Sequence, residues 1–335
     1  MPRIARTPRN SRTLASRHLA RDFVVGVAPL RRPIRIPFTV AGYDMIAIDL
    51  DGTLLDSRGE LSRPCAEAIA DARDAGVFVT ICTGRGLPEC APILKALCHA
   101  DPVVVAGGSI IACPATRRTL HRFAIAELLV RDAVAHMNGQ GYPVMVLKDP
   151  CEAGFDYLMV IGEDEHPLDP VSLWWFEHMD VSVRTVRTLE EDEHPDHTVR
   201  LGVCALNHKL DPLLGAMQGV FADRAVMHHF PAVVAPEHAT QWTNGEAAHI
   251  LEIFAAEATK WSAIKRIAGE RAIAVPRIAA IGDQINDLSM IENAGLGVAM
   301  GNAVPSVKAA AKRETRTNDE SGVAHAIRRI LDGEW

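Results

Sequence analysis

Ile46-Ala47-Ile48-Asp49-Leu50-Asp51-Gly52-Thr53-Leu54 is the stretch that decides how this chain is read. An apolar strand pattern ends in two aspartates one residue apart, and a glycine and a threonine follow at once. Strand side chains alternate between two faces. At the carboxyl end of a buried strand the chain turns, and both carboxylates are brought toward one crevice. Open α/β sheets bind ligands there. Two close carboxylates raise one another's pKa unless a cation sits between them. The pair therefore calls for a metal, and oxygen ligands suit Mg²⁺. Asp-Gly is also a common turn pair, so the rest of the chain must separate the two readings.

Downstream, Ser62 is placed to cap a helix with Pro64 in its first turn. Val77 to Cys82 is an apolar run interrupted only by Thr80, as in a buried parallel strand, and it ends in Thr83-Gly84-Arg85. A second helix is expected from Leu87 to His99. A third strand follows over Pro102 to Ala106, ahead of Gly107-Gly108-Ser109. Strand, helix, strand, helix, strand predicts an α/β fold with a doubly wound parallel sheet, a Rossmann-like core. From about His121 the pattern changes. A helix is expected over Ala126–Asn138, and strands over Val144–Leu147, Tyr157–Ile161, Val181–Val186, Thr198–Ala205, Ala225–Phe230 and Ile250–Phe254. A helix near Ser172–Met179 carries Trp174 and Trp175, expected to pack inside this unit. The α/β pattern returns near Lys260, with a strand Ile278–Ile281 ending in Gly282-Asp283-Gln284-Ile285-Asn286-Asp287. The expected domains are residues 45–121 with 257–335 as the core, and 122–256 as an inserted α+β unit.

The first 44 residues stand apart. Arg3, Arg6, Arg9, Arg12, Arg17 and Arg21 recur with no acidic residue before Asp22. Residues 1–44 are expected to be a basic, disordered extension. A targeting segment, or an upstream stretch with Met45 as the true start, are the other readings. The 335 residues are 48% apolar and 23% charged, ordinary for a soluble globular protein. A formal charge of −7 argues against a basic nucleic-acid face. No run approaches a membrane span. Seven cysteines without a C-x-x-C pair, with Cys82, Cys90, Cys98 and Cys204 in apolar runs, point to reduced, buried thiols and a cytoplasmic setting. The oligomeric state is open.

Asp49/Asp51, Thr83, Lys260 and Asp283/Asn286/Asp287 stand at element ends that a parallel sheet brings to one edge. Taken in order, Asp49-Leu50-Asp51-Gly52-Thr53, Thr83-Gly84-Arg85, Gly282-Asp283-Gln284-Ile285-Asn286-Asp287 and the tail Ala294–Ala303 resemble the haloacid dehalogenase-like hydrolases. The likeness is narrower still to the Cof-type phosphatases with a large C2-type cap. It covers about residues 45 to 331.

The resemblance implies a Mg²⁺-dependent phosphatase of small phosphorylated metabolites, sugar phosphates first. Phosphate monoesters are dianions, so a site must neutralise the phosphoryl oxygens and hold a nucleophile in line. Asp49 would be the nucleophile, forming an aspartyl-phosphate. Asp51 would be the general acid and base. The metal would lie among Asp49, Asp283 and Asp51, the last through its backbone carbonyl. Thr83, Gly84, Arg85, Lys260 and Asn286 would hold phosphate, with Asp287 behind the ligands. Two features depart from the family. Trp261 follows Lys260 where a small residue is usual, which makes Lys265 a substitute candidate. Gly107-Gly108 stands where Asn-Gly is usual. His194/His197 and His228/His229 invite a zinc reading, but the first pair lies in an acidic loop and neighbours on a strand face opposite ways. A phosphomutase or phosphotransferase with the same nucleophile, and a non-catalytic phosphometabolite binder, are the alternatives.

Overall fold

A computed structural model describes residues 42–221, 223–232 and 248–335. The expectation for residues 1–44 therefore lies outside the described residues as far as residue 41.

The first half of the chain contributes β1 (Met45–Asp49), β2 (Phe78–Cys82), β3 (Val103–Val105), β4 (Ile110–Cys113) and β5 (Arg118–Arg122). Next come β6 (Val144–Lys148), β7 (Tyr157–Val160), β8 (Val183–Val186), β9 (Thr198–Leu206), β10 (Ala225–Pro231) and β11 (Ala248–Ala255). The last part adds β12 (Ile278–Gly282), β13 (Leu296–Ala299) and β14 (Arg313–Glu314). Among the described residues these form an eight-stranded sheet in the order β14-β13-β12-β1-β2-β3-β4-β5, and a six-stranded sheet in the order β10-β11-β9-β6-β7-β8. The first sheet is thus split in sequence, and the second is made wholly from the segment between its halves.

β1 is buried at every position and pairs in parallel with β2 and β12. That explains its unbroken apolar run, since both faces are covered by helices. The sheet is not parallel throughout. β4 runs antiparallel to both β3 and β5. The doubly wound parallel core is as expected, and an antiparallel hairpin extends it at one edge. The physical reason is that the chain turns straight back at Gly107-Gly108 instead of entering a crossover helix. β5 carries Arg118, His121 and Arg122 along the sheet edge, and charge there discourages further strand pairing.

The helix Arg63–Asp74 begins as the sequence predicts, with Ser62 Oγ accepting from the Cys65 N–H at 3.4 Å. A helix over Asn207–Phe221, not anticipated, packs Leu210, Leu213, Met217 and Phe221 against the second sheet. That sheet has two distinct faces. Leu201, Val203, Leu251 and Ile253 face its own helices. Strand alternation turns Arg200, Glu252 and His228 the other way, toward the first sheet. Tyr157 and Leu147 share that second face and belong to the core of the first sheet.

Two expectations are corrected. Cys98 is exposed at a helix end with φ +47, although Cys65, Cys82, Cys90 and Cys204 are buried. Trp174 and Trp175 are only half-buried. Trp174 stacks on His178 with ring centroids 4.7 Å apart, and Trp175 reaches out to the first sheet. Among the described residues no helix is long and apolar enough to cross a membrane.

Candidate active site

The register of three adjacent parallel strands assembles the site. Asp49 ends β1 and pairs with Cys82, one residue before Thr83. Ile48 pairs with Ile281, which puts Asp283 beside Asp49 on the other side. After β1 the chain makes a wide turn in which Gly52 adopts φ +77. A Cβ at Gly52 would lie 2.5 Å from Asp283 Oδ2, so glycine serves both the backbone shape and the close carboxylate. Thr53 Oγ1 donates to Asp283 Oδ1 at 2.7 Å.

Lys260 opens the helix Lys260–Glu270, capped by Thr259, whose Oγ1 accepts from the Ser262 N–H at 3.0 Å. Its side chain is fully buried. Nζ donates to Asp49 Oδ1 and to Asp287 Oδ1, each at 2.6 Å. Asp287 Oδ2 in turn accepts the N–H groups of Asp283 at 2.9 Å and Gln284 at 3.0 Å. The notion that Trp261 would displace this lysine is not met. Trp261 packs at the rim of the first core, while Lys265 lies with Phe123, Glu257 and Arg266 at a surface hollow away from the carboxylates.

Asp49, Asp283 and Asp287 each offer an oxygen within 4.8 Å of the others, and all three are buried. One ammonium thus faces three carboxylates. Burial, then the charge of Asp287, hold the Asp49 carboxyl well above its ordinary value, against the pull of Lys260. Burial and Asp287 likewise push Asp283 up to about 7. Burial alone would lower Lys260, but Asp287 and Asp49 outweigh it and hold the ammonium protonated. A buried all-oxygen donor set with excess negative charge fits a hard divalent cation. Asp49 and Asp283 are the residues free to hold one, because Asp287 is already engaged by Lys260 and two backbone N–H groups.

Asp51 stands apart from this group. Its carboxylate is gripped by Arg85, with Nε donating at 2.9 Å and Nη2 at 2.5 Å. Thr83 is fully buried, and its Oγ1 accepts the Arg85 N–H at 3.1 Å, which leaves the hydroxyl proton to donate. Asn286 lies beside Asp287 with a buried Oδ1 that has no hydrogen-bond partner among the described residues.

The structure adds residues that sequence reasoning missed. Glu89 Oε1 accepts from Trp175 Nε1 at 2.8 Å and from Tyr157 OH at 3.1 Å, while Oε2 accepts the Gly86 N–H. Arg200 donates to the Gly84 carbonyl at 2.7 Å and to Tyr157 OH at 3.0 Å, and pairs with Glu252 at 2.7 Å. The inserted sheet is thereby tied directly to the Thr83-Gly84-Arg85 loop. The one local signal was Glu89 at the third position of the helix Leu87–Ala96, which reads as a cap.

Gly107 is also accounted for. It has φ +70, and a Cβ there would lie 2.6 Å from the Phe254 ring. The space of the usual asparagine side chain is taken by an aromatic ring from β11.

Comparison with known proteins agrees with this arrangement. The model of the haloacid dehalogenase-like hydrolase family matches residues 46–327. "Phosphatase YwpJ" of Bacillus subtilis is 30% identical over 303 residues, 86% of this chain and 99% of that protein. The B. subtilis "5-amino-6-(5-phospho-D-ribitylamino)uracil phosphatase YwtE" is 28% identical, over 87% of this chain and 99% of its own. A solved haloacid dehalogenase-like hydrolase from B. subtilis superposes with a TM-score of 0.68 at 25% identity, covering 85% of this chain and 99% of that one. The chain belongs to the haloacid dehalogenase-like hydrolases and is a phosphatase of the Cof type.

Proposed function

We propose that this enzyme is a Mg²⁺-dependent phosphatase of small phosphorylated metabolites, sugar and polyol phosphates first, that works through an aspartyl-phosphate on Asp49. The observation that carries the reading is Lys260, buried between Asp49 and Asp287 beside Asp283 at the carboxyl edge of the sheet. Lys260 pulls the Asp49 carboxyl toward its ionised form against burial and the charge of Asp287, and a cation beside Asp49 and Asp283 would add to that pull.

Asp49 attacks phosphorus in line with the ester oxygen, and the P–O bond to the leaving group breaks. Thr83 and Lys260 bind the phosphoryl oxygens. Asp51 gives a proton to the leaving oxygen and later takes one from the water that hydrolyses the acyl-phosphate. In the resting arrangement Arg85 holds Asp51. An incoming phosphate monoester competes for that guanidinium and releases the carboxylate, which takes up a proton from solvent before it acts as the acid. Asp49, Asp283 and the Asp51 carbonyl hold Mg²⁺, which supplies neutralising charge to the phosphoryl oxygens when bound. Residues 122–256 act as the cap that excludes water and meets the leaving group. Support for a phosphorylated organic substrate comes from the relatives, one of which is named for a phosphoribityl compound.

The test is phosphate release from sugar, polyol, nucleotide and cofactor phosphates, with wild type beside Asp49→Asn, and with EDTA followed by Mg²⁺. Release by wild type alone, lost in EDTA and restored by Mg²⁺, is the expected result. Turnover by Asp49→Asn, free of deamidation, would remove Asp49 from the role of nucleophile.

A further inference from the structure

We infer that His228, carried on β10 of the inserted sheet, is a specificity-determining residue that hydrogen-bonds a hydroxyl of an uncharged leaving group, with Asn286 as its companion on the core side. The inference rests on the phosphatase reading above and names the chemistry of its leaving group.

The placement comes from the strands. His228 pairs in register with Glu252, on the face of the second sheet that looks toward the first. β10 packs against the turn Ile285–Asp287, and the His228 ring lies 5.4 Å from that of Phe254, the ring that covers Gly107. Two polar atoms are left over there. His228 Nδ1 and Asn286 Oδ1 are both buried and have no hydrogen-bond partner among the described residues. Buried polar atoms are nearly always paired, so such orphans mark a place where something else supplies the partner.

The neighbouring polar groups are already committed. Arg200 is held by Glu252, the Gly84 carbonyl and Tyr157, and Tyr157 by Glu89. Lys260 is held by Asp49 and Asp287. Lys260 and Arg85 serve the transferred phosphoryl group, so a second phosphate or a carboxylate on the leaving group would find no further cation free among these groups. His228 does not supply one either. Burial first, then the nearby Lys260, lower its pKa to about 4, against a smaller opposing effect of Asp287. The ring is neutral at pH 7, with one nitrogen that donates and one that accepts. An alcohol has the same dual character. His228 and Asn286 therefore suit the hydroxyls of a monophosphate whose remaining part is uncharged.

The experiment compares kcat/KM for sugar and polyol monophosphates with that for p-nitrophenyl phosphate, whose leaving group has no further hydroxyl. Wild type, His228→Phe and His228→Gln are measured with Mg²⁺. Wild type is expected to prefer at least one hydroxylated ester. The ratio of that ester to p-nitrophenyl phosphate should fall about 10- to 100-fold in His228→Phe, the loss of one buried hydrogen bond, and recover in part in His228→Gln. A wild type that prefers no hydroxylated ester overturns the inference. So does a His228→Phe ratio within about threefold of wild type. Should His228→Phe fail to fold, His228→Gln and His228→Asn carry the same ratio test, and a flat ratio in both is equally decisive. Asp49→Asn on p-nitrophenyl phosphate separates the two levels. If that variant is active, or wild type is inert on every ester, the phosphatase reading fails and this inference falls with it.

Discussion

Replacing Glu89 by glutamine keeps the side chain's shape and removes its charge at the point where the second sheet meets the first. Every group that faces this carboxylate is a donor: Trp175 Nε1, Tyr157 OH and the Gly86 N–H. An amide has only one acceptor oxygen. Its NH₂ must therefore confront either Gly86 or the Trp175–Tyr157 pair, whichever way it flips. Hydrogen bonds to a charged acceptor contribute about 1.5–3 kcal/mol each, and an unpaired buried donor costs about 1–3 kcal/mol. Glu89 is only 4% exposed, so solvent does little to soften this. We expect Glu89→Gln to destabilise the protein by about 2–4 kcal/mol, allowing for one bond that survives. Urea unfolding followed by tryptophan fluorescence measures it. The mechanism is isolated by a double-mutant cycle with Trp175→Phe, which deletes the indole N–H and keeps a ring. The coupling between the two changes should be about 1–2 kcal/mol. Additivity within about 0.3 kcal/mol, with both single variants folded, would refute the idea that this carboxylate ties the sheets together.

Lys260→Met strands two buried carboxylates and should cost about 3–5 kcal/mol in urea unfolding at pH 7; a loss under about 1 kcal/mol would show that Asp49 and Asp287 have another counter-charge. His99 is buried beside Arg73, and burial first, then that guanidinium, lower its pKa from 6.5 to about 4. The folded state therefore binds fewer protons than the unfolded state between those values. Its contribution is complete above pH 6.5 and is lost as pH falls through the window. Wild type should lose about 3 kcal/mol more than His99→Gln between pH 7 and pH 4, and parallel stability profiles would contradict this. Gly107→Asn tolerates the backbone, since asparagine accepts a left-handed conformation, but its Cβ meets the Phe254 ring. It should cost about 1–3 kcal/mol, and Phe254→Ala should relieve part of that in the double variant; strict additivity would reject the clash.

The catalytic edge was legible because each of its strands is an apolar run, interrupted only by Thr80 in β2, that stops at a polar residue with a glycine close by. Asp49, Thr83 and Asp283 stand out against such runs, and parallel pairing leaves their order little freedom. The β4–β5 hairpin was harder to read, because its edge strand is too polar to look like part of a core sheet. The helix Asn207–Phe221 was hidden behind Pro212, Gly215 and Gly219, although Leu210, Leu213 and Met217 keep helical spacing. Glu89, Tyr157, Trp175 and Arg200 could not be found by spacing at all. Glu89 and Tyr157 are 68 residues apart, and Gly84 and Arg200 are 116 apart. Locally each looks like a cap, a strand residue or a surface charge. Only the meeting of two sheets gives them a shared purpose.

Arg200 reaches the Gly84 carbonyl with Glu252 as its own counter-ion, from a neighbouring strand of the same sheet. Any rigid displacement of that sheet carries cation and anion together. At the junction itself a paired dipole, and not a bare cation, meets the phosphate loop. The inserted sheet thus touches the Thr83-Gly84-Arg85 loop without leaving an unpaired charge beside it.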